Sequence, residues 1–269
     1  MPTRSKAVAP RPDAPTPLPP RSVPLDVAEL SFAGFTSAGL QMIHEVATRQ
    51  DKAWVAEHKS EYETQVRVPL AALVVATMEY CAAAGLPLQG DPKRSLFRIH
   101  RDVRFSADKR PFHSHASAVL TRTAEKQSPG VLYLQIAPKS SFAAVGFYLP
   151  DKVQLSALRE GIASDPLGWS RMVRALKSAE LVLDESDALV RGPRGYEHAP
   201  EVVRDALRLR SLIIIRPLRA AELRSRKLPE RLSAFALAAA PLLQFGWHAL
   251  QRDRPYAALL ARAARGPER

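Results

Sequence analysis

The middle of this chain changes from helical to strand-like patterning, and this change constrains the fold most strongly. Four short apolar runs occupy residues 96–105, 116–121, 131–137 and 142–149, and turn residues separate them. These runs have the length of strands, and no helical stretch lies between consecutive runs. Parallel neighbours need a crossover of about a dozen residues or more, so short connections favour antiparallel pairing. The pattern therefore predicts an antiparallel sheet.

Helical patterns flank these runs on both sides. Before them, Thr36 or Ser37 and then Asp51 are suitable N-caps, and apolar residues continue at helical spacing until Gly85. After them, helical spacing returns and is interrupted by one further β-branched run at 211–215. The sequence predicts a single α+β domain with an antiparallel central sheet flanked by N-terminal and C-terminal helices.

Composition divides the chain into three parts. Eight prolines lie within the first 24 residues without an apolar pattern, which predicts a disordered proline-rich tail over residues 1–28. Residues 29–250 form the predicted domain. Residues 251–269 are predicted to be a C-terminal helical extension with a frayed end.

Cysteine content and hydropathy predict a cytoplasmic protein without a membrane partner. Cys81 is the single cysteine, so an intramolecular disulfide and a cysteine-based metal cluster are both excluded. The longest uncharged stretch, residues 234–250, has 17 residues, whereas a membrane span needs about 20. The first residues also lack the apolar core of a signal peptide.

A formal net charge of +12 is the unusual feature of the composition. An excess of this size favours polyanions, acidic metabolites or anionic surfaces as partners. It is equally typical of a basic protein with a solvated positive face, because net charge reports on association and not on a specific site.

The densest group of functional side chains lies between Phe97 and His115. Read as a strand, it separates into an apolar face and a polar face. The apolar face holds Phe97, Ile99, Val103 and Phe105, and the polar face holds Arg98, His100, Asp102 and Arg104. Two arginines around an imidazole and a carboxylate can hold an anion in a fixed orientation, because each guanidinium is a planar fork of donors.

Arg101 shares the apolar parity of this predicted strand, so we expect it to point toward the core. A buried guanidinium needs a carboxylate partner or a ligand. Asp91, Asp108 or an acidic residue of the first helices can provide that partner. An internal ion-pair network of this kind, which only orders the edge of the sheet, is the structural alternative to a functional site.

Histidines supply the candidates for proton transfer and for metal binding. His100 and Asp102 are the candidate catalytic residues, because an imidazole titrates near neutral pH. His113 and His115 share one face of a strand, and with His100 they provide three conceivable nitrogen ligands for zinc. This spacing is not specific, so the sequence predicts no metal site. It identifies no cofactor either, and it leaves open whether the protein is an enzyme.

The run from Leu96 to Phe112 resembles the signature of an uncharacterised family, domain-of-unknown-function family 2461. The pattern of that family is roughly Phe-Arg-Ile-Tyr-Arg-Asp-x-Arg-Phe-Ser-x-Asp-Lys-x-Pro-Tyr. Further matches extend the resemblance over about residues 32–245, and they are Trp54, Lys59, Tyr62, Pro69, Leu70, Gly130, Tyr133, Leu134, Ser141, Phe142, 193–196 and 209–211. The chain departs from the pattern at His100 and Phe112, at Gln135, and at 143–146, where the family has tyrosines, a frequent histidine and a glycine-rich run.

The resemblance implies a mixed α/β fold, and it carries over a set of candidate residues without a reaction. Asp102 belongs to this set as an orienting carboxylate. The candidate ligand-binding residues are Arg98, Arg101, Arg104, Ser106, Asp108 and Lys109.

Three functions remain open from these residues. The first is a basic pocket for a small phosphorylated or carboxylated ligand, clamped by Arg98 and Arg104, with or without catalysis. The second is nucleic-acid binding on a basic surface, with Phe97, Phe105 and Phe112 as stacking platforms, although their strand parity predicts core positions. The third is a non-catalytic scaffold in which the charged residues form only a structural ion-pair network.

Overall fold

The computed structural model of the chain describes residues 30–252. The predicted tail at 1–28 and the extension beyond residue 252 therefore lie outside the described residues. The first half begins with four helices, and a π-helical turn over Glu63–Arg67 joins the third to the fourth. These helices are α1 (Ser37–Arg49), α2 (Lys52–Glu57), α3 (Lys59–Tyr62) and α4 (Val68–Ala83).

Helix boundaries follow the local chemistry of the sequence. The Thr36 hydroxyl accepts a hydrogen bond from the Gly39 N–H at 2.9 Å, so Thr36 is the N-cap of α1. The Asp51 carboxylate caps α2 in the same way. Pro69 stands in the first turn of α4, directly after the π-helical turn of Glu63–Arg67. The predicted caps at Thr36 and Asp51 are confirmed.

Four antiparallel strands form an open sheet in the order β1-β2-β3-β4. The strands are β1 (Ala116–Thr121), β2 (Val131–Ile136), β3 (Phe142–Phe147) and β4 (Leu212–Pro217). Helices α5 (Lys152–Ser164), α6 (Pro166–Ser178) and α7 (Glu201–Ala206) lie between β3 and β4, and α8 (Ala220–Leu223), α9 (Leu228–Ala238) and α10 (Ala240–Arg252) follow β4. The predicted α+β class with an antiparallel sheet is confirmed.

The helices cover one face of this sheet. Leu132 pairs with Val145 and Leu134 with Ala143, and all four side chains are buried in the core. Helix α4 packs against β1 and α9, and α10 packs against β3. The alternate residues of β2 point to the opposite face and are only partly buried. The sheet therefore has a core face and an open face.

The segment Lys59–Ala83 is the one helical run among residues 30–252 that is long and apolar enough to cross a membrane by length and composition. Leu70, Leu73 and Val74 of this run are buried in the core cluster, and so is the free thiol of Cys81. This is the packing of a central core helix. The uncharged stretch at 234–250 divides between α9 and α10.

The predicted strand over 96–105 is wrong. This segment makes isolated bridges from Leu96 to Ala118 and from His100 to Phe112, so only its first residue pairs with β1. Without a continuous ladder the alternation of faces is lost, because nothing holds successive residues in an extended backbone. Phe105 consequently lies 96% exposed instead of in the core.

We predict that Gly146→Ala lowers the free energy of unfolding by about 3 kcal/mol or more. Gly146 has φ +133°, and an added Cβ would lie 2.0 Å from the carbonyl oxygen of Leu212 in the neighbouring strand. Gly85→Ala is the matched control, since Gly85 has φ +70° and no heavy atom within 4 Å of an added Cβ. The control should cost only about 1–2 kcal/mol of backbone strain. Chemical denaturation measures both, and equal losses would contradict the close approach of β3 and β4.

Candidate functional site

Residues 98–112, the charged loop, contain the predicted site residues and fold back on themselves. The Arg101 N–H donates to the carbonyl of Pro111 at 2.8 Å, and the His113 N–H donates to the carbonyl of Ile99 at 2.8 Å. These two bonds tie the outgoing limb of the loop to its returning limb. The tip projects away from the sheet, with Phe105 in the solvent.

Ion pairs within the charged loop occupy its two carboxylates. Arg101 Nη1 lies 2.9 Å from Asp108 Oδ2 and also donates to the carbonyl of Arg110 at 3.1 Å. Arg110 makes a second pair with Asp108, and Arg104 binds both oxygens of Asp102. The hydrogen bonds from Arg110 and Arg101 hold the pKa of Asp108 well below its usual value, and those from Arg104 lower the pKa of Asp102. Of the partners considered for Arg101, the structure selects Asp108, whereas the expected core position is wrong, because Arg101 lies in the loop with its side chain 22% exposed.

The remaining candidates in the charged loop make backbone contacts or face the solvent. Lys109 Nζ donates to the carbonyl of Val103 at 3.1 Å, and the N–H of Ser106 donates to the same carbonyl at 3.4 Å. The Arg98 side chain is exposed. The structure thus ties most of the candidates into short-range pairs, with Arg104 held by Asp102 and Arg98 exposed.

Three histidines lie at the base of the charged loop without forming a ligand set. The rings of His113 and His115 are 5.3 Å apart, whereas the His100 ring packs on Phe112 at 5.1 Å. Among the described residues, no three His, Cys, Asp or Glu side chains are grouped closely enough to hold a metal ion. Burial lowers the pKa of each histidine, and Arg98 lowers the pKa of His100 further. These rings are therefore suited to the neutral form at pH 7.

A cavity of about 720 Å³, the sheet cavity, lies on the open face of the sheet. Ala144 and Gly146 of β3 form its floor, because they leave the middle of this face almost without side chains. Aromatic residues surround the floor, and they are Phe97, Tyr133, Phe142 and Tyr148. The Tyr133 ring lies 5.9 Å from that of Phe142 and 6.0 Å from that of Phe97. The result is a concave apolar surface with aromatic walls.

Lys126 brings a positive charge to the β1 side of the sheet cavity. Its Nζ donates to the carbonyl of Leu96 at 2.7 Å and lies 4.5 Å from the centre of the Phe97 ring. Burial lowers the pKa of Lys126, and the positive charges of Arg67 and Arg98 lower it further. Arg67 is paired with Glu63 at 3.1 Å, so Lys126 and Arg98 are the main sources of positive potential at this end.

Other polar groups line the remaining sides of the sheet cavity. Tyr133 Oη donates to Gln135 Oε1 at 3.4 Å, and burial raises the pKa of Tyr133. Asp184 lines the opposite side, where its N–H donates to the carbonyl of Ile213 in β4 and its carboxylate accepts the hydroxyl of Ser186. The cavity therefore has a cationic end and an acidic end.

Sequence reasoning did not identify the sheet cavity. Of the residues that line it, Phe97, Tyr133 and Phe142 were noted for the family resemblance, and Gln135 was noted as a departure from the family pattern. One signal was available in β2, where Val131, Tyr133 and Gln135 alternate with purely apolar residues. That alternation predicts an uncovered face, and the partner residues on β3 then show where the side chains are small.

The family model described as a conserved hypothetical protein, DUF2461, matches residues 38–245. No curated protein and no solved structure matches the chain. The matched range begins in α1 and ends in α10, so it includes all four strands, the charged loop and the sheet cavity.

We predict that Arg101→Leu lowers the melting temperature by roughly 2–4 °C, whereas Arg110→Leu changes it by about 1 °C or less. The Arg101 side chain is 22% exposed and joins both limbs of the charged loop, while that of Arg110 is 60% exposed and bonds only its near neighbour Asp108. Each leucine variant loses one positive charge, so the two control for each other. Equal melting temperatures by circular dichroism would contradict the bridging role of Arg101.

Proposed function

The chain belongs to this family of conserved hypothetical proteins, and we propose that it binds a small molecule joining a planar apolar body to a phosphate or carboxylate group. The main support for the proposal is that the sheet cavity combines aromatic walls with one partly buried cation. Ala144 and Gly146 form the floor of the sheet cavity, and Lys126 lies at its end. This arrangement uses Phe97, which precedes the charged loop, and none of the ion pairs within the loop.

The shape of the sheet cavity supports a planar apolar body. Its volume of about 720 Å³ is in the range of about 300–1,000 Å³ typical of small-molecule sites, which are mostly apolar with a few polar groups. A ring placed over Ala144 can contact Tyr133 and Phe142 at the separations usual for aromatic pairs, about 4.5–7 Å. Larger residues at the two floor positions would fill this space.

The charges around Lys126 support an anionic group on the ligand. An ammonium has three N–H donors, and the bond to Leu96 uses one of them. Arg98 adds positive potential at the same end, and Arg67 adds less because Glu63 pairs with it. Because the whole chain carries +12, the approach of an anion is favoured at long range as well. A ligand with its anionic group at Lys126 also keeps that group away from Asp184 on the opposite side.

The proposed ligand is the small anion expected from the sequence, but its proposed site is the sheet cavity instead of the charged loop. Arg104 is engaged by Asp102, so a clamp of Arg98 and Arg104 would require that ion pair to open. His100 and Asp102, the candidates for proton transfer, do not line the sheet cavity. The geometry of the sheet cavity supports ligand binding.

Single-stranded nucleic acid is the second candidate ligand. It is favoured by the aromatic residues on the open face of a four-stranded antiparallel sheet, because bases stack on such rings while basic side chains contact the phosphates. The earlier candidates for stacking need revision, since Phe112 is only 2% exposed and cannot contact a base. Phe97, at 39% exposed, and Phe105 remain accessible.

We predict that phenyl phosphate raises the melting temperature more than phenol or inorganic phosphate does at the same concentration and ionic strength. A ligand at ten times its dissociation constant should add about 1.4 kcal/mol, which corresponds to roughly 3–6 °C for a domain of this size. Ala144→Leu should abolish the shift by filling the floor. Lys126→Gln should reduce the effect of phenyl phosphate to that of phenol, whereas Lys93→Gln, which removes an equal charge from an exposed position, should leave it unchanged.

Two outcomes of these assays would contradict the small-ligand proposal. Tight binding of single-stranded DNA or RNA that weakens steeply with salt, without any stabilising small anion, would favour the second candidate. If the protein binds neither aromatic anions nor nucleic acids, the non-catalytic scaffold is favoured, in which the ion pairs of the charged loop are structural.

A further inference from the structure

A second cavity, of about 230 Å³, lies between α5 and the loop that precedes α7. We refer to it as the α5 cavity. Its lining residues are Lys152, Leu155, Ser156, Arg159, Pro193 and Tyr196. Two of these residues belong to the 193–196 motif, which took no part in the proposed function. At this volume the cavity is too small for a drug-sized ligand and suits a small ion or head group.

Arg159 is the unusual residue of the α5 cavity, because its guanidinium lacks an acidic partner. Its Nε is buried without a hydrogen-bond partner, and its Nη2 reaches only the carbonyl of Leu209 at 3.5 Å. No ion pair of Arg159 occurs among residues 30–252. Burial lowers the pKa of this guanidinium, which means that its charge is poorly compensated. A buried donor left unpaired is costly, so an anion that binds it is stabilised.

The other polar groups of the α5 cavity are arranged for the same anion. Lys152, Ser156 and Arg159 are spaced by four and three residues, so they lie on one face of α5. Of the nearby acids, Asp151 caps α5 through the Gln154 N–H, whereas Glu160 accepts the hydroxyl of the cavity residue Tyr196 at 3.4 Å. Two cations and a hydroxyl therefore line a small, partly open recess.

We propose that the α5 cavity is a binding site for a tetrahedral oxyanion, either free phosphate or the phosphate of an organic monoester. Arginine presents a planar fork that matches phosphate oxygens, and lysine adds a mobile point charge. Ser156 donates its hydroxyl to a third oxygen. The loop of Pro193 and Tyr196 closes the site, and Gly195 with φ +91° allows the chain to turn there. This site is separate from the sheet cavity and does not depend on the function proposed for it.

Calorimetry with inorganic phosphate tests the α5 site on the full chain. Arg159→Met should weaken phosphate binding by at least about tenfold, because a charge-assisted pair of bonds is lost. Arg171→Met, which removes an exposed arginine of α6, is the matched control and should bind phosphate like the wild type. Lys126→Gln should also bind like the wild type, which separates this site from the sheet cavity.

Thermal melting supplies the second readout. In chloride buffer Arg159→Met should be as stable as the wild type or more so, since the unpaired buried charge is gone. In phosphate of equal ionic strength only the wild type should gain stability. Absence of phosphate binding by the wild type, or unchanged binding by Arg159→Met, would overturn the proposal.

A substitute variant and a second phosphate ligand complete the test. If Arg159→Met does not fold, Lys152→Gln replaces it, because Lys152 is exposed in the first turn of α5 and its loss should weaken binding without unfolding the chain. Glycerol phosphate binding more tightly than inorganic phosphate would assign the site to a phosphate monoester, and equal binding would assign it to free phosphate.

Discussion

The antiparallel register between β2 and β3 is the constraint on which the rest of the structure depends. It places Leu132 against Val145 and Leu134 against Ala143, so all four contribute to the face that the helices cover. A slip of one residue would turn these side chains to the solvent and bring Tyr133 and Gln135 into the core. The register therefore fixes both where the core lies and which residues remain on the open face.

The sheet cavity is a consequence of that register together with the close approach of β4. An added Cβ on Gly146 would overlap the Leu212 carbonyl, so this position of the floor must stay without a side chain. Ala144 is the next small residue on the same face, and the larger rings stand around both. The exposed ion pairs of the charged loop contribute little to stability, as surface pairs generally do. Their effect is geometric, because they hold the loop in a folded-back form and occupy its carboxylates.

The sequence predicted local features well, but it did not predict which residues far apart in the chain come into contact. The caps at Thr36 and Asp51 and the four strands depend on residues close in the chain, so their patterns were sufficient. The predicted strand at 96–105 does not form. Alternation of apolar and polar residues alone cannot show whether a neighbouring strand is present to pair with it. The sheet cavity escaped prediction because Phe97, Tyr133 and Tyr148 meet only after folding.

The central claim is that the open face of the sheet, and not the charged loop, receives the ligand. The most direct measurement is a titration of ¹⁵N-labelled protein with phenyl phosphate, followed by amide chemical shifts. The account predicts that the largest changes occur at Lys126, Tyr133 and Gly146, with the tip of the loop around Phe105 unaffected. Changes confined to residues 98–110, with no change in the strands, would contradict this prediction. They would indicate that the ligand binds the arginines of the charged loop.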